Sequence, residues 1–312
     1  MSLPGLLVII VLVGVVARRW RMSSARYPYP PGPKPTPILG NARDIPTFKS
    51  WLTYSRWARQ YGDVFHVREY HQHIIVINSL KDAIALFEKR SRIYSDRPVL
   101  AIVNLMGWDF NAGLLPYGDR WRRHRKLYQE NFRKVAAITY QPIQTRKIHE
   151  LLQKLLLTPD DFILHYRTVA VAIGMATMYD HDISTVNLER FVTVAEQAVS
   201  KINEAFFPGA MVVNAFPFLQ HLPSWFPGTG FKAFAAGCKV YTDEMQNVPF
   251  NFVKEKMASG AEMSALTARL LERNNAGGGS MESEADIKAV TATVFAGEGY
   301  FTDNLTLLTK HS

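Results

Sequence analysis

The sequence predicts a mainly α-helical protein with one small β-hairpin, placed behind an N-terminal membrane anchor. Three observations lead to this fold class. Residues 3–17 are uncharged and apolar, two short β-branched segments flank a polar turn between residues 64 and 78, and apolar residues recur at helical spacing after Ser79. Because 47% of the 312 residues are hydrophobic, the chain can bury a large core, which excludes a disordered or collagen-like protein.

The anchor comprises residues 1–21. Its apolar run, LPGLLVIIVLVGVVA, is followed at once by Arg18, Arg19 and Arg21. The run is a little shorter than the ~17–25 residues of a typical bilayer span, and we expect snorkelling of these arginines to extend it. A cleaved signal peptide is the alternative, but its positive charges would precede the apolar run. The positive-inside rule then predicts that the rest of the chain faces the cytosol.

Residues 22–40 form a proline-rich hinge, since repeated proline favours a stiff, extended path. A helix is predicted over residues 51–61, ending at Gly62, and a hairpin follows with strands at 64–68 and 74–78. Three histidines, His66, His71 and His73, lie in or beside its turn at 70–73. We interpret them as ordinary histidines of a solvated turn rather than as ligands, so no metal site is predicted.

The remaining elements are helices. Ser79 and Asp82 resemble a capping box, ahead of a predicted buried stripe made by Ala83, Ile84, Leu86 and Phe87. Further helices are predicted at 119–133, 141–157, 161–179, 189–206 and 230–258, and a last one begins near Ser283 with Asp286 as its capping partner. Residues 274–280 read as a flexible linker. The aromatic segment 207–228 is either a loop folded onto the core or a loop that dips into the membrane interface.

Charge and cysteine content exclude several classes of protein. The net charge is +9, but four arginines between residues 18 and 26 supply much of it, so a nucleic-acid partner is not expected. The single cysteine, Cys238, excludes an internal disulfide and Cys-rich zinc sites, and favours a reducing compartment. No Walker A loop, GxGxxG, HExxH or GxSxG motif is present.

Six motifs occur in order along residues 3–297: PPGP at 30–33, ILGN at 38–41, YGDV at 61–64, SDRP at 95–98, YGDRWRRHR at 117–125 and HLPSWFPG at 221–228. On these motifs the chain resembles a microsomal cytochrome P450 of the fungal type. The resemblance implies that residues 41–297 are the N-terminal part of a P450 domain, truncated after the start of the long helix that crosses the haem.

The resemblance also implies a function. The family consists of haem-thiolate monooxygenases that insert one oxygen atom from O2 into an apolar small molecule, and the fungal members act in secondary metabolism. It implies an endoplasmic reticulum membrane location, electrons from NADPH-P450 reductase, and substrate contacts from three regions, residues 99–117, 206–213 and 290–297. Trp121 and Arg125, which match the Trp-x-x-x-Arg of the family, would contact the haem propionates, and their spacing places both side chains on one face of a helix.

The sequence departs from the family in the segment that would bind the haem iron. The cysteine loop that supplies the thiolate is absent, and Cys238 follows Gly237 directly, so we interpret Cys238 as a buried small hydrophobe. Glu130 and Arg133 imitate the family's Glu-x-x-Arg in the wrong helix. Residues 298–312 form a tail unlike the family, in which Thr302 is out of register for an oxygen-activating role.

We therefore assign no catalytic residue and no metal ligand, and expect this chain to be catalytically incompetent. The alternative is a non-catalytic, membrane-anchored helical fragment or interaction module.

Overall fold

A computed structural model describes residues 28–46, 49–180, 185–206, 212–276 and 283–309, with the backbone alone for 185–189, 206 and 298–309. The chain divides into two compact units, Met1–Lys89 and Arg90–Ser312. The predicted anchor, residues 1–21, lies outside the described residues, as does the first part of the hinge. Among the helices that are described, none is both long and apolar enough to cross a membrane.

The described part of the first unit contains a helix, a hairpin and a short helical segment after Ser79. Helix α1 (Ser50–Tyr61) ends at Gly62, as predicted, and strands β1 (Val64–Glu69) and β2 (Gln72–Ile77) pair antiparallel. The prediction of a four-residue turn was wrong, because Glu69 pairs with Gln72 and only two residues remain between the strands. Tyr70 makes this short turn possible by adopting a left-handed conformation with φ of 51°.

Alternate residues of β1 build the core of this unit. Phe65 and Val67 are fully buried, and Phe65 packs against Tyr54 and Trp57 of α1. The described part of the hinge runs along the outer edge of β1. There the His66 amide donates to the carbonyl of Pro31 at 2.9 Å, so the hinge covers backbone groups that an isolated hairpin would leave unpaired.

The helical segment after Ser79 is less buried than predicted. The Ser79 hydroxyl accepts a hydrogen bond from the Asp82 amide and caps α2 (Leu80–Ala83), which continues as a π-helical turn over Ile84–Glu88. The predicted buried stripe was wrong. Ala83, Ile84 and Leu86 are half-buried and Phe87 is 52% exposed. The π turn shifts side chains away from the helical spacing on which the prediction rested.

The second unit is helical, and the long helices were predicted within a few residues. Its members are α3 (Ser91–Tyr94), α4 (Ala101–Leu105), α5 (Asp119–Phe132), α6 (Lys134–Ala137), α7 (Gln141–Leu157), α8 (Phe162–Tyr179), α9 (Thr185–Phe206), α10 (Val212–Ala215), α11 (Gly230–Ala258), α12 (Leu266–Ala276) and α13 (Glu284–Thr309). Short 3-10 turns lie at Ile138–Tyr140, Pro159–Asp161 and Pro217–His221.

The core of this unit lies between α8, α9, α11, α12 and α13. Met175, Ala195, Met245, Leu266 and Phe295 are each almost completely buried there. Helix α13 begins where predicted, since the Asp286 amide donates to the Ser283 hydroxyl at 3.1 Å. Its backbone continues as one helix to Thr309, into the residues that the sequence sets apart as a tail.

Part of the segment 212–228 folds onto the core, which is one of the two alternatives left open by the sequence; its contact with a membrane stays a prediction. Val213 and Ala215 are buried against the core, whereas Phe218 and Trp225 are 64% and 80% exposed. Residues 207–211 lie outside the part that the structure describes.

Candidate functional site

The two predicted cofactor-binding residues lie on α5. Asp119 lies in the first turn of this helix, where its negative charge interacts favourably with the helix dipole. The side chains of His124 and Leu127 are buried and attach the helix to the core. Trp121 is half-buried and its ring lies 5.2 Å from that of Tyr117, while Arg125 is exposed. Neither Trp121 nor Arg125 forms a hydrogen bond or ion pair with another described residue, so their donor groups are available to a ligand.

Helix α5 is held to α13 by a buried ionic cluster at the start of α13. The carboxylate of Asp286 accepts a hydrogen bond from Arg123 Nε on one oxygen and lies 3.0 Å from His124 Nε2 on the other. Burial by itself raises the pKa of Asp286, but the bonds from Arg123 and His124 outweigh it and hold that pKa below its ordinary value. Asp286 is therefore an anion with both oxygens bonded.

His124 is fully buried in this cluster. Burial lowers the pKa of His124, and Arg120 and Arg123 act in the same direction against the attraction of Asp286. Its Nδ1 atom is buried and has no partner among the described residues. A proton on Nδ1 would be an unpaired buried donor, so we assign the neutral ring that donates from Nε2 to Asp286.

A second bond joins the same two helices one turn further on. The Tyr128 hydroxyl donates to the carbonyl of Val290 at 3.2 Å. Burial raises the pKa of Tyr128 to about 12, so the hydroxyl remains a donor at neutral pH.

A cavity of about 270 Å³ lies beside the N-terminus of α5. Its walls are mainly apolar, with two arginines and one aspartate: Arg97, Pro98, Val99, Leu100, Val103, Asn104, Asp109, Leu114, Leu115, Pro116 and Arg120. Most of these residues fall within or beside the predicted substrate segment 99–117. Trp121 and Arg125 are not among them.

The sequence did not single out Arg97 or Arg120, although both belong to motifs that carried the resemblance. The Arg97 guanidinium donates to the carbonyls of Gly113 and Ser95 at 3.3 and 3.2 Å, which fixes it in the cavity wall. Arg120 lies 3.9 Å from Asp109. Both cations line the same cavity because of how the chain folds, and no spacing in the sequence indicates this.

Cys238 has the environment that the sequence predicted. It is fully buried inside α11, and its Sγ atom lies 3.6 Å from the Thr242 hydroxyl oxygen. Burial raises the pKa of the Cys238 thiol, so it stays protonated and is a poor metal ligand. Glu130 likewise has a structural role, because it accepts a bond from Arg273 at the surface.

The hairpin histidines form a pair rather than independent solvated side chains. His66 Nε2 lies 2.9 Å from His73 Nδ1, and the ring of Tyr29 stacks on both imidazoles. The prediction that His73 lies in the turn was wrong, since the two-residue turn keeps it in the β ladder, but its side chain is exposed as predicted. Within the described ranges, no group of three or more His, Cys, Asp or Glu residues could hold a metal ion.

Comparison with known proteins agrees with the resemblance found in the sequence. The family model described as Cytochrome P450 matches residues 30–308, which includes most of the segment that the sequence analysis set apart as a tail. The chain is similar to Cytochrome P450 monooxygenase 208 of Postia placenta, with 32% identity over 94% of this chain and 56% of that protein.

Two other relatives are also similar to most of the chain. Cytochrome P450 monooxygenase claR of Ampulloclitocybe clavipes is 38% identical over 78% of this chain and 46% of its own length. Tryptamine 4-monooxygenase of Psilocybe cyanescens is 34% identical over 92% of this chain and 57% of its own length. The chain thus spans about half the length of the curated relatives it matches.

Proposed function

The chain belongs to the cytochrome P450 family, and from this premise we propose that it is the propionate-binding part of a haem-thiolate monooxygenase. The proposed reaction of the complete enzyme is insertion of one oxygen atom from O2 into an apolar small molecule, with electrons from NADPH-P450 reductase. Haem, the cofactor of this family, would supply the oxygen-activating chemistry.

The observation that carries this proposal is that the donor groups of Trp121 and Arg125 have no hydrogen-bond partner among the described residues. Both lie on one face of α5, and both keep their donor groups free of other described residues. An indole N–H and a guanidinium are suitable donors for two carboxylates, because the guanidinium can fork onto one of them and the indole can donate only. The residues present therefore fit the carboxylate edge of a haem.

The described residues do not supply the axial thiolate ligand of the haem iron. Cys238 is enclosed in α11 and its thiol is held in the protonated form, so it does not serve as a thiolate. We propose that the chain by itself contacts haem through α5 without the axial ligand that monooxygenation requires, and is catalytically incompetent.

We propose that the cavity beside α5 forms part of the substrate site. Leu100, Val103, Leu114 and Leu115 give it an apolar surface, which suits an apolar substrate.

We also propose attachment to the endoplasmic reticulum membrane through residues 1–21, with the rest of the chain in the cytosol. The exposed aromatic side chains Phe218, Trp225 and Phe226 support a second contact with the membrane interface, where aromatic rings are favoured.

A haem titration of the purified chain in detergent tests the proposed function. We expect a Soret change on binding and no thiolate-type band in the carbon-monoxide difference spectrum. Arg125→Leu should weaken binding by about tenfold, the loss of one charge-assisted bond of ~1.5 kcal/mol. The control is Arg122→Leu, on the same helix but paired with Asp119, which should bind haem as the unchanged chain does.

The alternative, a non-catalytic helical fragment or interaction module unrelated to haem, predicts no Soret change and equal behaviour of both variants. A thiolate-type band that disappears in Cys238→Ala would instead show that the assignment of Cys238 is wrong.

A further inference from the structure

Two hydrogen bonds connect α5 and α13 in matched register. His124 Nε2 lies 3.0 Å from Asp286 Oδ1, and the Tyr128 hydroxyl lies 3.2 Å from the Val290 carbonyl oxygen. Each helix advances by four residues between the two bonds, which is about one turn. The two helices therefore run in the same direction here, and the bonds fix both their height and their relative rotation.

The His124 bond is the more specific of the two. Both of its partners are buried, with His124 at 0% and Asp286 at 5% exposure. The carboxylate is itself oriented, because Arg123 Nε bonds its second oxygen at 3.0 Å and Ser283 caps the first turn of α13. A buried hydrogen bond between a neutral imidazole and an anchored carboxylate leaves the ring little freedom to rotate.

This bond lies within one turn of both proposed haem contacts. His124 immediately precedes Arg125 and follows Trp121 by three residues, so Trp121 and Arg125 occupy the neighbouring part of the helix surface. A rotation of α5 about its axis would therefore change the direction of both side chains together.

We propose that His124, acting through Asp286, is the positioning residue that sets the rotation of α5 and thereby aims Trp121 and Arg125 at the haem carboxylates. This inference rests on the proposed function. His124 is fully buried and acts only through the helix, in the way that outer-shell hydrogen bonds orient the groups that contact a cofactor.

The test is a haem titration of the full chain in detergent with three variants. His124→Phe keeps a planar ring and removes the donor, and it should weaken haem binding by about tenfold, a typical effect of losing an outer-shell partner. His124→Gln keeps an N–H near the position of Nε2, and it should restore most of the affinity. The control is His165→Phe on α8, which removes another buried histidine, one bonded to Thr158 at 2.9 Å.

Loss of stability alone cannot produce this pattern. His124→Phe and His165→Phe should lower the midpoint of thermal unfolding similarly, whereas only His124→Phe should weaken haem binding. If His124→Phe does not reproduce the circular dichroism spectrum of the unchanged chain, His124→Met replaces it in the same comparison, since its flexible side chain adapts to the space available.

The outcomes separate the two proposals. Equal haem affinity of His124→Phe and the unchanged chain would overturn the positioning role while leaving the proposed function intact. Equal weakening by His165→Phe would also overturn it, because the effect would then be structural. No haem binding by the unchanged chain would overturn the proposed function, and the positioning role with it.

Discussion

The imidazole rings of His66 and His73 lie within 20° of coplanar, with His66 Nε2 2.9 Å from His73 Nδ1. Tyr29 of the hinge lies flat over both rings, at centroid distances of 4.4 and 4.3 Å. A single N–H···N bond requires that at least one ring be neutral. The contact between hinge and hairpin therefore depends on the protonation of two histidines.

The hairpin should lose stability in mild acid. Burial is the main cause that lowers the pKa values of His66 and His73, and Arg68 adds repulsion. The unfolded chain thus binds more protons than the folded one below the ordinary histidine pKa of about 6.5, so this contribution is complete above that pH and is lost as the pH falls below it. Hydrogen exchange of residues 64–77, corrected for intrinsic rates, should show protection decreasing from pH 7 to pH 5.

His73→Phe provides the comparison for this prediction. The phenyl ring can remain stacked under Tyr29 but cannot titrate, so protection of the hairpin should depend less on pH. His71→Phe, in the neighbouring turn, is the control. An unchanged pH dependence in His73→Phe would rule out the histidine pair as its source.

Gly40 should not tolerate a side chain. It has a φ of 65°, and a Cβ atom there would lie 2.1 Å from the carbonyl oxygen of Arg68. Gly40→Ala should lower the free energy of unfolding by more than ~1 kcal/mol, since the left-handed conformation alone costs that much. Gly237→Ala in α11 meets no neighbour within 4 Å and should be neutral or slightly stabilising. Urea unfolding followed by circular dichroism measures both, and equal midpoints would contradict the close approach.

Phe295 should be a large contributor to the stability of the second unit. Its ring is fully buried and meets Tyr179 edge-on at 6.3 Å. Phe295→Ala should cost about 3–5 kcal/mol, from lost transfer energy and the cavity left behind. Phe218→Ala, at a side chain that is 64% exposed, should stay within ~0.5 kcal/mol of the unchanged chain. A small effect at Phe295 in thermal unfolding would mean that this part of the core is loosely packed.

Cys238 should react with thiol reagents only when α11 opens. The side chain is fully buried and burial raises its pKa, so both access and thiolate content are low in the folded protein. The rate of labelling by an aromatic disulfide reagent should rise with urea in step with unfolding. Rapid labelling in native buffer would contradict the burial, and Cys238→Ala gives the background.

Attachment to membranes should depend on residues 1–21. Deletion of these residues should release much of the protein from the carbonate-washed membrane fraction, because the apolar run is the proposed anchor. In the shortened chain, Trp225→Ser should reduce the remaining binding to lipid vesicles, and Trp108→Phe, at a buried position, is the control. Identical fractionation of the shortened and intact chains would overturn the anchor.

The local sequence pattern determined where most of the long helices of this protein begin and end. Helical spacing and capping residues are properties of neighbouring positions, so the bounds of α5, α7, α8 and α11 and the start of α13 at Ser283 could be predicted within a few residues. The motifs likewise identified the family, whereas the haem contacts of Trp121 and Arg125 stay a prediction. Burial of Cys238 followed from its place in an apolar helical window.

Only the tertiary structure decided which distant residues meet. The sequence predicted Asp286 as a cap, but its bond to His124 joins residues 162 positions apart, and no local period encodes such a distance. The pairing of His66 with His73 depended on a turn two residues shorter than predicted, and the exposure of Phe87 on a π turn. Propensity and spacing act between neighbours in the chain, whereas register, burial and charge pairing are settled when separate elements pack together.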